Sequence, residues 1–360
     1  MMGFKTGSSA IWAGRALGAM SLAWMSTVWA GCQVDTPAAK SAAQLAQEEQ
    51  VWGRWDAFEE RQVRLDPFLA PHASYRVLMK RPGNQAHPDK PVVVFLHGFP
   101  EFARSWENWL NLIGAEHDAI AIDLKGYGES SRPTSLSAYN LYRITFELDA
   151  VVACLGYKQV IPVGHDWGGN FAWMYGMLLP ARTKAVVVLS TPHPYPFFRE
   201  LAKPDSEQSQ RSRYIDLIRQ NTPEASAEAR RLLTAGPDDL FQPFYAGLRA
   251  NRLIQTNMAT DEMWERMFSY YRVMDLPASP TFYTDKPNWL ALLMMKVRAP
   301  TLALYGAQDM AFAAGSWQGV EAFVPKLELH KLEGQGHFIN HTAPELPGQV
   351  LKFINAQTAP

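Results

Sequence analysis

Residues 160–169 read Val-Ile-Pro-Val-Gly-His-Asp-Trp-Gly-Gly, and this stretch decides the fold of the chain. Its first four residues are a short apolar run, which is typical of a strand buried on both faces of a parallel sheet. A Gly-x-Asp-x-Gly pattern follows, and a helical pattern then extends over 169–179. The stretch predicts a sharp strand-to-helix turn, with glycines where the two elements pack too closely for a Cβ atom and with an exposed central side chain.

The central residue of this turn is Asp166, which the N-terminus of the following helix should keep ionised. A carboxylate that attacks an ester forms a strained anhydride, whereas a carboxylate that attacks an sp³ carbon forms an alkyl ester that water can hydrolyse. Asp166 is therefore predicted to be a nucleophile toward alkyl electrophiles such as epoxides and alkyl halides. The alternative interpretation is a structural aspartate that caps the helix.

Alternating apolar runs and helical patterns extend outward from this turn. Alternation of this kind predicts an α/β fold with a doubly wound parallel sheet, whose sites lie at the carboxyl ends of the strands. The predicted strands are 75–79, 91–96, 119–123, 160–163, 185–190, 300–305 and 327–331, and the predicted helices are 106–115, 139–155, 169–179 and 345–356.

Other segments with reactive or glycine-rich sequences directly follow predicted strands. Residues 97–101 read His-Gly-Phe-Pro-Glu, residues 123–130 begin with an aspartate, and Asp309 and His337 follow the last two strands. Because the carboxyl ends of parallel strands meet at one edge of the sheet, we expect these segments to lie close to Asp166.

The alternation is interrupted by residues 192–297, which carry Arg/Glu-rich helical patterns and several aromatic residues but no strand run. Because the sheet pattern resumes afterwards, this segment is predicted to be a helical lid inserted into a core formed by 56–191 and 298–360. An independent second domain is the weaker alternative.

The N-terminal residues 1–31 differ from the rest, with a basic start, a short apolar stretch and small residues at its end. This plan predicts a signal peptide, and the apolar stretch is too short for a membrane-spanning helix. The sequence Trp29-Ala30-Gly31-Cys32 also resembles a bacterial lipobox, from which Trp29 departs. We expect an exported protein, either a periplasmic or outer-membrane lipoprotein attached to the membrane through lipidated Cys32, or a protein that is simply secreted.

Residues 32–55 are rich in Ala, Gln and Ser and are interpreted as a tether between this anchor and the core. The chain has only two cysteines. Lipidation of Cys32 would leave Cys154 without a partner, and its apolar helical surroundings predict a small core residue rather than a reactive thiol.

Composition excludes several classes of function. The 360 residues are 47% hydrophobic and 19% charged, as in an ordinary globular protein, and the net charge of −1 without any basic run argues against a nucleic-acid partner. The sequence has no glycine-rich phosphate loop and no histidines at metal-ligand spacing, so neither a cofactor nor a metal is predicted. It leaves the oligomeric state open.

Taken together, these segments resemble the epoxide hydrolase branch of the α/β-hydrolase fold over residues 75–353. The resemblance implies that Asp166 is the nucleophile, that His337 activates water and that Asp309 orients the histidine. It also implies that the backbone N–H groups of Phe99 and Trp167 form an oxyanion hole. The expected substrate is a small hydrophobic epoxide, which would be converted to a vicinal diol.

The resemblance further implies two lid tyrosines that assist ring opening by hydrogen bonding to the leaving oxygen. Tyr214 matches the first of them. At the second position Asn288-Trp289 is followed by Leu290 instead of tyrosine, which is a departure from the family pattern. Either Tyr214 acts alone or a neighbour such as Tyr283 substitutes, and Trp289 is a candidate for contact with the substrate.

Two other functions remain open at this point. A haloalkane dehalogenase would use the same aspartate, with the indole of Trp167 donating to the halide and a lid tryptophan such as Trp264 or Trp289 as a second donor. A catalytically silent fold that only binds a hydrophobic ligand is the other alternative.

Overall fold

The computed structural model describes residues 31–38, 40–44, 46, 58–66, 70, 73–235, 258, 260–274 and 294–359. Within these residues a nine-stranded sheet has the strand order β1-β2-β3-β5-β4-β6-β7-β8-β9. The strands are β1 (Gln33–Asp35), β2 (Glu59–Arg64), β3 (Ser74–Lys80), β4 (Val92–Leu96), β5 (Ala119–Ile122), β6 (Val160–His165), β7 (Val186–Leu189), β8 (Thr301–Gly306) and β9 (Leu327–Leu332).

The sheet is parallel from β5 through β4 and β6 to β9, whereas β1, β2 and β3 pair antiparallel at one end. The strands from β4 to β7 are fully buried, as their Val- and Ile-rich sequences predict. This arrangement confirms the predicted doubly wound, mostly parallel α/β sheet.

Helices cover both faces of the sheet. They are α1 (Glu107–Ile113), α2 (Leu141–Cys154), α3 (Trp167–Leu178), α4 (Pro194–Leu201), α5 (Glu207–Arg211), α6 (Arg213–Gln220), α7 (Pro223–Ala235), α8 (Asp261–Val273), α9 (Ile339–Thr342) and α10 (Leu346–Thr358). Short 3₁₀ turns lie at Pro82–Asn84, Ala103–Trp106, Leu136–Tyr139, Ala314–Trp317 and Val320–Ala322.

Successive side chains of a strand point to opposite faces of the sheet, so alternate residues pack in the two hydrophobic layers on either side of it. In β4, Val93 and Phe95 pack with α1 and α10, whereas Val92 and Val94 belong to the layer that contains α2 and α3. The sheet is therefore held between two helical layers. Its carboxyl edge stays free for the loops that follow the strands.

Between β7 and β8 the described residues form the helices α4 to α8. Tyr283, Trp289 and Leu290 lie outside the described residues, and so do residues 1–30. Among the residues that were searched, no helix is both long enough and apolar enough to cross a membrane.

The N-terminal region corrects two expectations. Residues 33–35 of the predicted tether form β1, an edge strand paired with β2, and β2 itself was missed because its sequence is mostly polar. Cys154 is not an unpaired core residue, because it forms a disulfide with Cys32. This bond ties the N-terminal strand to the end of α2. The sulfur of Cys32 cannot carry a thioether lipid while it remains in the disulfide.

Candidate active site

The turn at Asp166 places a carboxylate at the carboxyl edge of the sheet, between β6 and α3. Its backbone is strained, with φ 50° and ψ −118°, a region that a non-glycine residue rarely occupies. A Cβ atom on Gly164 would overlap the carbonyl of Gly168, and a Cβ atom on Gly168 would overlap that of Leu96. The glycines of the motif are therefore required by close packing, as the sequence predicts.

One backbone N–H binds the Asp166 carboxylate, and a second lies directly after it at the start of α3. The backbone N–H of Phe99 donates to its Oδ1 at 2.7 Å. Trp167 is the first residue of α3, and the N–H groups in the first turn of a helix have no partner within that helix. The groups predicted to form the oxyanion hole thus flank the nucleophile.

His337 lies between two carboxylates. Its Nδ1 is 3.1 and 3.0 Å from the two carboxylate oxygens of Asp309, and its Nε2 is 3.5 Å from Oδ2 of Asp166. The structure thus brings together all three residues that the sequence assigns to nucleophile, acid and base. They come from three loops that are far apart in the chain.

Electrostatics at this histidine favour the charged form. Burial by itself lowers the pKa of His337, but the charge of Asp309 and the hydrogen bonds and charge of Asp166 outweigh this effect and raise the pKa to about 10. At neutral pH the site therefore holds an imidazolium between two carboxylates.

The loop that carries Asp309 is fixed by its own backbone and by the lid. Oδ1 of Asp309 accepts hydrogen bonds from the N–H groups of Ala311 and Phe312 at 2.8 and 3.0 Å. The lid residue Arg211, at the end of α5, donates to the carbonyl oxygens of Asp309 and Phe312. The orientation of the acid thus depends partly on lid contacts.

Gln208 of α5 is a second lid contact to this loop, and sequence reasoning missed it. Its side chain is buried, and its amide donates to the carbonyl oxygen of Ala311 at 2.9 Å. Its Oε1 accepts from the N–H of Ala313 and the hydroxyl of Ser316, both at 2.8 Å. A single glutamine in a polar helix carries no motif that would have revealed this role.

A buried network lies behind His337. The ring of His165 is 2.6 Å from Glu101 through Nδ1 and 3.0 Å from the carbonyl oxygen of His337 through Nε2. Burial raises the pKa of Glu101, but His165 and His341 outweigh burial and hold that pKa well below its ordinary value. Glu101 and His165 therefore support the backbone of His337.

Tyr214, the predicted lid acid, reaches the site from α6. Burial and the charge of Asp166 raise the pKa of Tyr214, whereas a hydrogen bond with Tyr271 opposes the rise. The rings of these two tyrosines are 5.8 Å apart. Tyr271 of α8 was not singled out in the sequence, because it lies in a helical pattern with several aromatic residues and no distinguishing motif.

Aromatic side chains cluster around Phe99, whose backbone N–H binds Asp166. The ring of Phe99 lies 6.0 Å from Trp264, 6.3 Å from Phe268 and 5.8 Å from Tyr271. The surroundings of the carboxylate on this side are therefore apolar. Among the described residues no group of three or more His, Cys, Asp and Glu side chains is arranged to hold a metal ion.

Comparisons with known proteins found chains that are similar in sequence and in fold. The mouse protein named Epoxide hydrolase 4 is 26% identical over 302 residues, which cover 81% of this chain and 82% of the relative. The Caenorhabditis elegans protein named Epoxide hydrolase 2 is 28% identical over 281 residues, which cover 74% of each chain. The crystal structure of a mutant epoxide hydrolase from Bacillus megaterium matches with a TM-score of 0.63 at 23% identity, covering 79% of this chain and 97% of that one.

A protein-family match covers most of the chain. Residues 91–344 match the family described as alpha/beta hydrolase fold, a span that includes the nucleophile turn, the lid and the histidine loop. The chain therefore belongs to the α/β hydrolase fold family.

Proposed function

We propose that this protein is an epoxide hydrolase that forms a covalent alkyl ester on Asp166. The observation that carries the proposal is the position of Asp166, which has one oxygen held by the Phe99 N–H and the other 3.5 Å from His337. The names of the relatives support the choice of an epoxide as the electrophile.

In the first step an oxygen of Asp166 attacks an epoxide carbon and the carbon–oxygen bond of the ring breaks. The electron pair remains on the ring oxygen, which takes the phenol proton of Tyr214. Forming the ester removes the charge of Asp166, and the pKa of His337 then falls because one of its two stabilising carboxylates is gone. The proton that His337 releases restores the phenol.

In the second step the neutral His337 takes a proton from water, and the hydroxide adds to the ester carbonyl of Asp166. The N–H groups of Phe99 and Trp167 stabilise the resulting oxyanion. When the intermediate collapses, the departing alkoxide takes the proton of the Asp166 carboxyl group. The diol leaves, and the site returns to an imidazolium between two carboxylates.

A haloalkane dehalogenase is the second candidate. The indole Nε1 of Trp167 is buried and forms no well-aligned hydrogen bond with the described residues, so it is available to a halide. Against this candidate, Tyr214 lies near the nucleophile, and a departing halide ion needs no proton.

One experiment separates these functions. The purified protein is incubated with styrene oxide and, separately, with 1-bromobutane, and diol and bromide release are measured. The His337→Gln variant is analysed by mass spectrometry for a trapped adduct on Asp166. We expect diol from the wild-type protein and a styrene oxide adduct in the variant. Bromide release without diol would establish the dehalogenase, and no adduct with either compound would leave only a binding function.

We further propose that the protein is exported, with Cys32 paired to Cys154. Disulfides persist in oxidising compartments, which supports export, and pairing competes with lipidation for the same sulfur. Non-reducing peptide mass spectrometry of the native protein tests this. We expect a cross-linked peptide pair, and a lipid-modified Cys32 with a free Cys154 would contradict the proposal.

A further inference from the structure

We propose that Tyr271 of α8 is the second ring-opening acid, in partnership with Tyr214, and replaces the tyrosine that the family pattern would place where Leu290 stands. The inference rests on the proposed function, because a phenol has a catalytic role only if the leaving group is a basic oxygen.

The position of Tyr271 is the first argument. Its ring lies 5.8 Å from Phe99 and 5.0 Å from Trp167, the two residues that flank Asp166. The ring of Tyr214 lies 5.8 Å away on the lid side, in an edge-on arrangement. Tyr271 thus lies between the nucleophile turn and the predicted lid acid, and only 4% of its surface is exposed.

The electrostatics agree with this position. Burial raises the pKa of Tyr271 well above its ordinary value, and the charges of Tyr214 and Asp166 raise it further. The same carboxylate raises the pKa of Tyr214, which also interacts with Tyr271 through a hydrogen bond. Both phenols therefore respond to the nucleophile's charge, and both stay protonated until a substrate alkoxide develops.

The hydroxyls of two other tyrosines near the site already have backbone partners. The hydroxyl of Tyr270, the preceding residue, donates to the carbonyl oxygen of Lys125 at 2.7 Å. The rings of both residues pack against Trp167, at 5.4 Å for Tyr270 and 5.0 Å for Tyr271, but the hydroxyl of Tyr270 is bound to the core loop. The hydroxyl of Tyr139 donates to the carbonyl oxygen of Pro133 at 3.1 Å.

The indole N–H of Trp167 lies where it can stabilise the phenolate form of Tyr271. This buried indole N–H lacks a well-aligned partner among the described residues, yet it lies close enough to Tyr271 to lower the pKa of that phenol. A donor in this position stabilises the phenolate that remains after the proton moves to the substrate oxygen. Ring opening then proceeds with Asp166 bonding to carbon, the ring C–O bond breaking and one of the two phenols transferring its proton to the ring oxygen.

The test measures ester formation and ester hydrolysis separately in single turnovers with 1,2-epoxypropane. We expect Tyr271→Phe to slow ester formation about 100-fold, as for loss of a general acid, and to leave ester hydrolysis unchanged. Tyr270→Phe is the matched control and should keep both rates within a few-fold of wild type. Thermal melting of each variant checks that it is folded.

A second substrate separates an acid from a packing residue. The alkoxide formed from 3,3,3-trifluoro-1,2-epoxypropane is much less basic and needs less assistance, so Tyr271→Phe should slow its opening far less. Tyr271→3,5-difluorotyrosine keeps the shape of the side chain but lowers its pKa, and it should move the alkaline limit of ester formation to lower pH.

Three results would overturn the inference. If Tyr271→Phe retains the wild-type rate of ester formation while the wild-type protein makes diol, only this inference fails. If Tyr283→Phe shows the loss and Tyr271→Phe does not, the second acid is Tyr283. If the wild-type protein opens no epoxide, the proposed function fails and this inference fails with it.

Discussion

Replacing Gln208 by leucine tests whether contacts from the lid hold Asp309 in its orientation toward His337. Gln208 is 1% exposed, and the carbonyl oxygen of Ala311, the N–H of Ala313 and the hydroxyls of Ser212 and Ser316 all use it as a partner. Ala313 and Ser316 are themselves buried, so water cannot readily take the place of the lost amide.

The expected cost follows from these orphaned groups. Each buried polar group without a partner costs about 1–3 kcal/mol. With four groups affected and some of them finding new partners as the loop relaxes, Gln208→Leu should lower the free energy of unfolding by about 3 kcal/mol. Gln210→Leu is the matched control, because Gln210 is exposed on the same helix and bonds only to the carbonyl oxygen of Asp205 among the contacts of the described residues.

The functional effect should fall mainly on one step. The loop that Gln208 holds supplies the N–H groups that fix Oδ1 of Asp309, and in the proposed mechanism Asp309 orients the base that activates water. Single-turnover measurements should show ester hydrolysis slowed about tenfold, which corresponds to about 1.4 kcal/mol, with ester formation changed much less. Urea unfolding gives the stability. Equal stability of the two glutamine variants, or equal slowing of both chemical steps, would refute the reasoning.

Three further changes have defined outcomes. Because the pKa of His337 in the folded protein is about 10, above the ordinary 6.5, its contribution to stability is complete below pH 6.5 and is lost as the pH rises through 10. Urea melts at pH 6 and pH 10 should therefore show a larger loss of stability for wild type than for His337→Gln. Glu101→Gln removes the buried charge shared by its histidine partners and should cost about 3 kcal/mol in the same assay, since one partner of a buried ion pair is lost. Reduction of the Cys32–Cys154 disulfide, which joins residues separated by 122 positions, should lower the free energy of unfolding by up to about 5 kcal/mol, and Cys32→Ser should remove the sensitivity to reductant.

The sequence predicted the structure best where a local pattern is compatible with only one backbone arrangement. The apolar runs of β4 and β6 are buried throughout, and the glycines around Asp166 are required by close backbone contacts. Strand ends and helix ends were predicted to within a few residues in these regions. Because the carboxyl ends of parallel strands share one edge of the sheet, the sequence also predicted that the segments with Asp309 and His337 would lie close to Asp166, as they do.

The sequence was least informative where a role depends on a partner far away in the chain. The pairing of Cys32 with Cys154 depends on a polar edge strand that carries no apolar pattern. Tyr271 and its neighbour Tyr270 are equivalent in sequence, and only the orientation of α8 directs the hydroxyl of Tyr270 to Lys125 and the ring of Tyr271 toward Tyr214. Roles of this kind arise from the packing of the lid on the core, which periodicity does not encode.

An aspartate nucleophile requires a different order of proton transfers from a serine nucleophile at the same position. A serine must lose a proton in order to attack, so a histidine that assists it has to begin neutral. A carboxylate needs no base for attack, and here it also charges the histidine, because His337 lies between Asp166 and Asp309. In the proposed mechanism the base is therefore inactive until Asp166 has reacted, and formation of the ester itself releases it. Water activation is then coupled to the presence of a substrate on the enzyme.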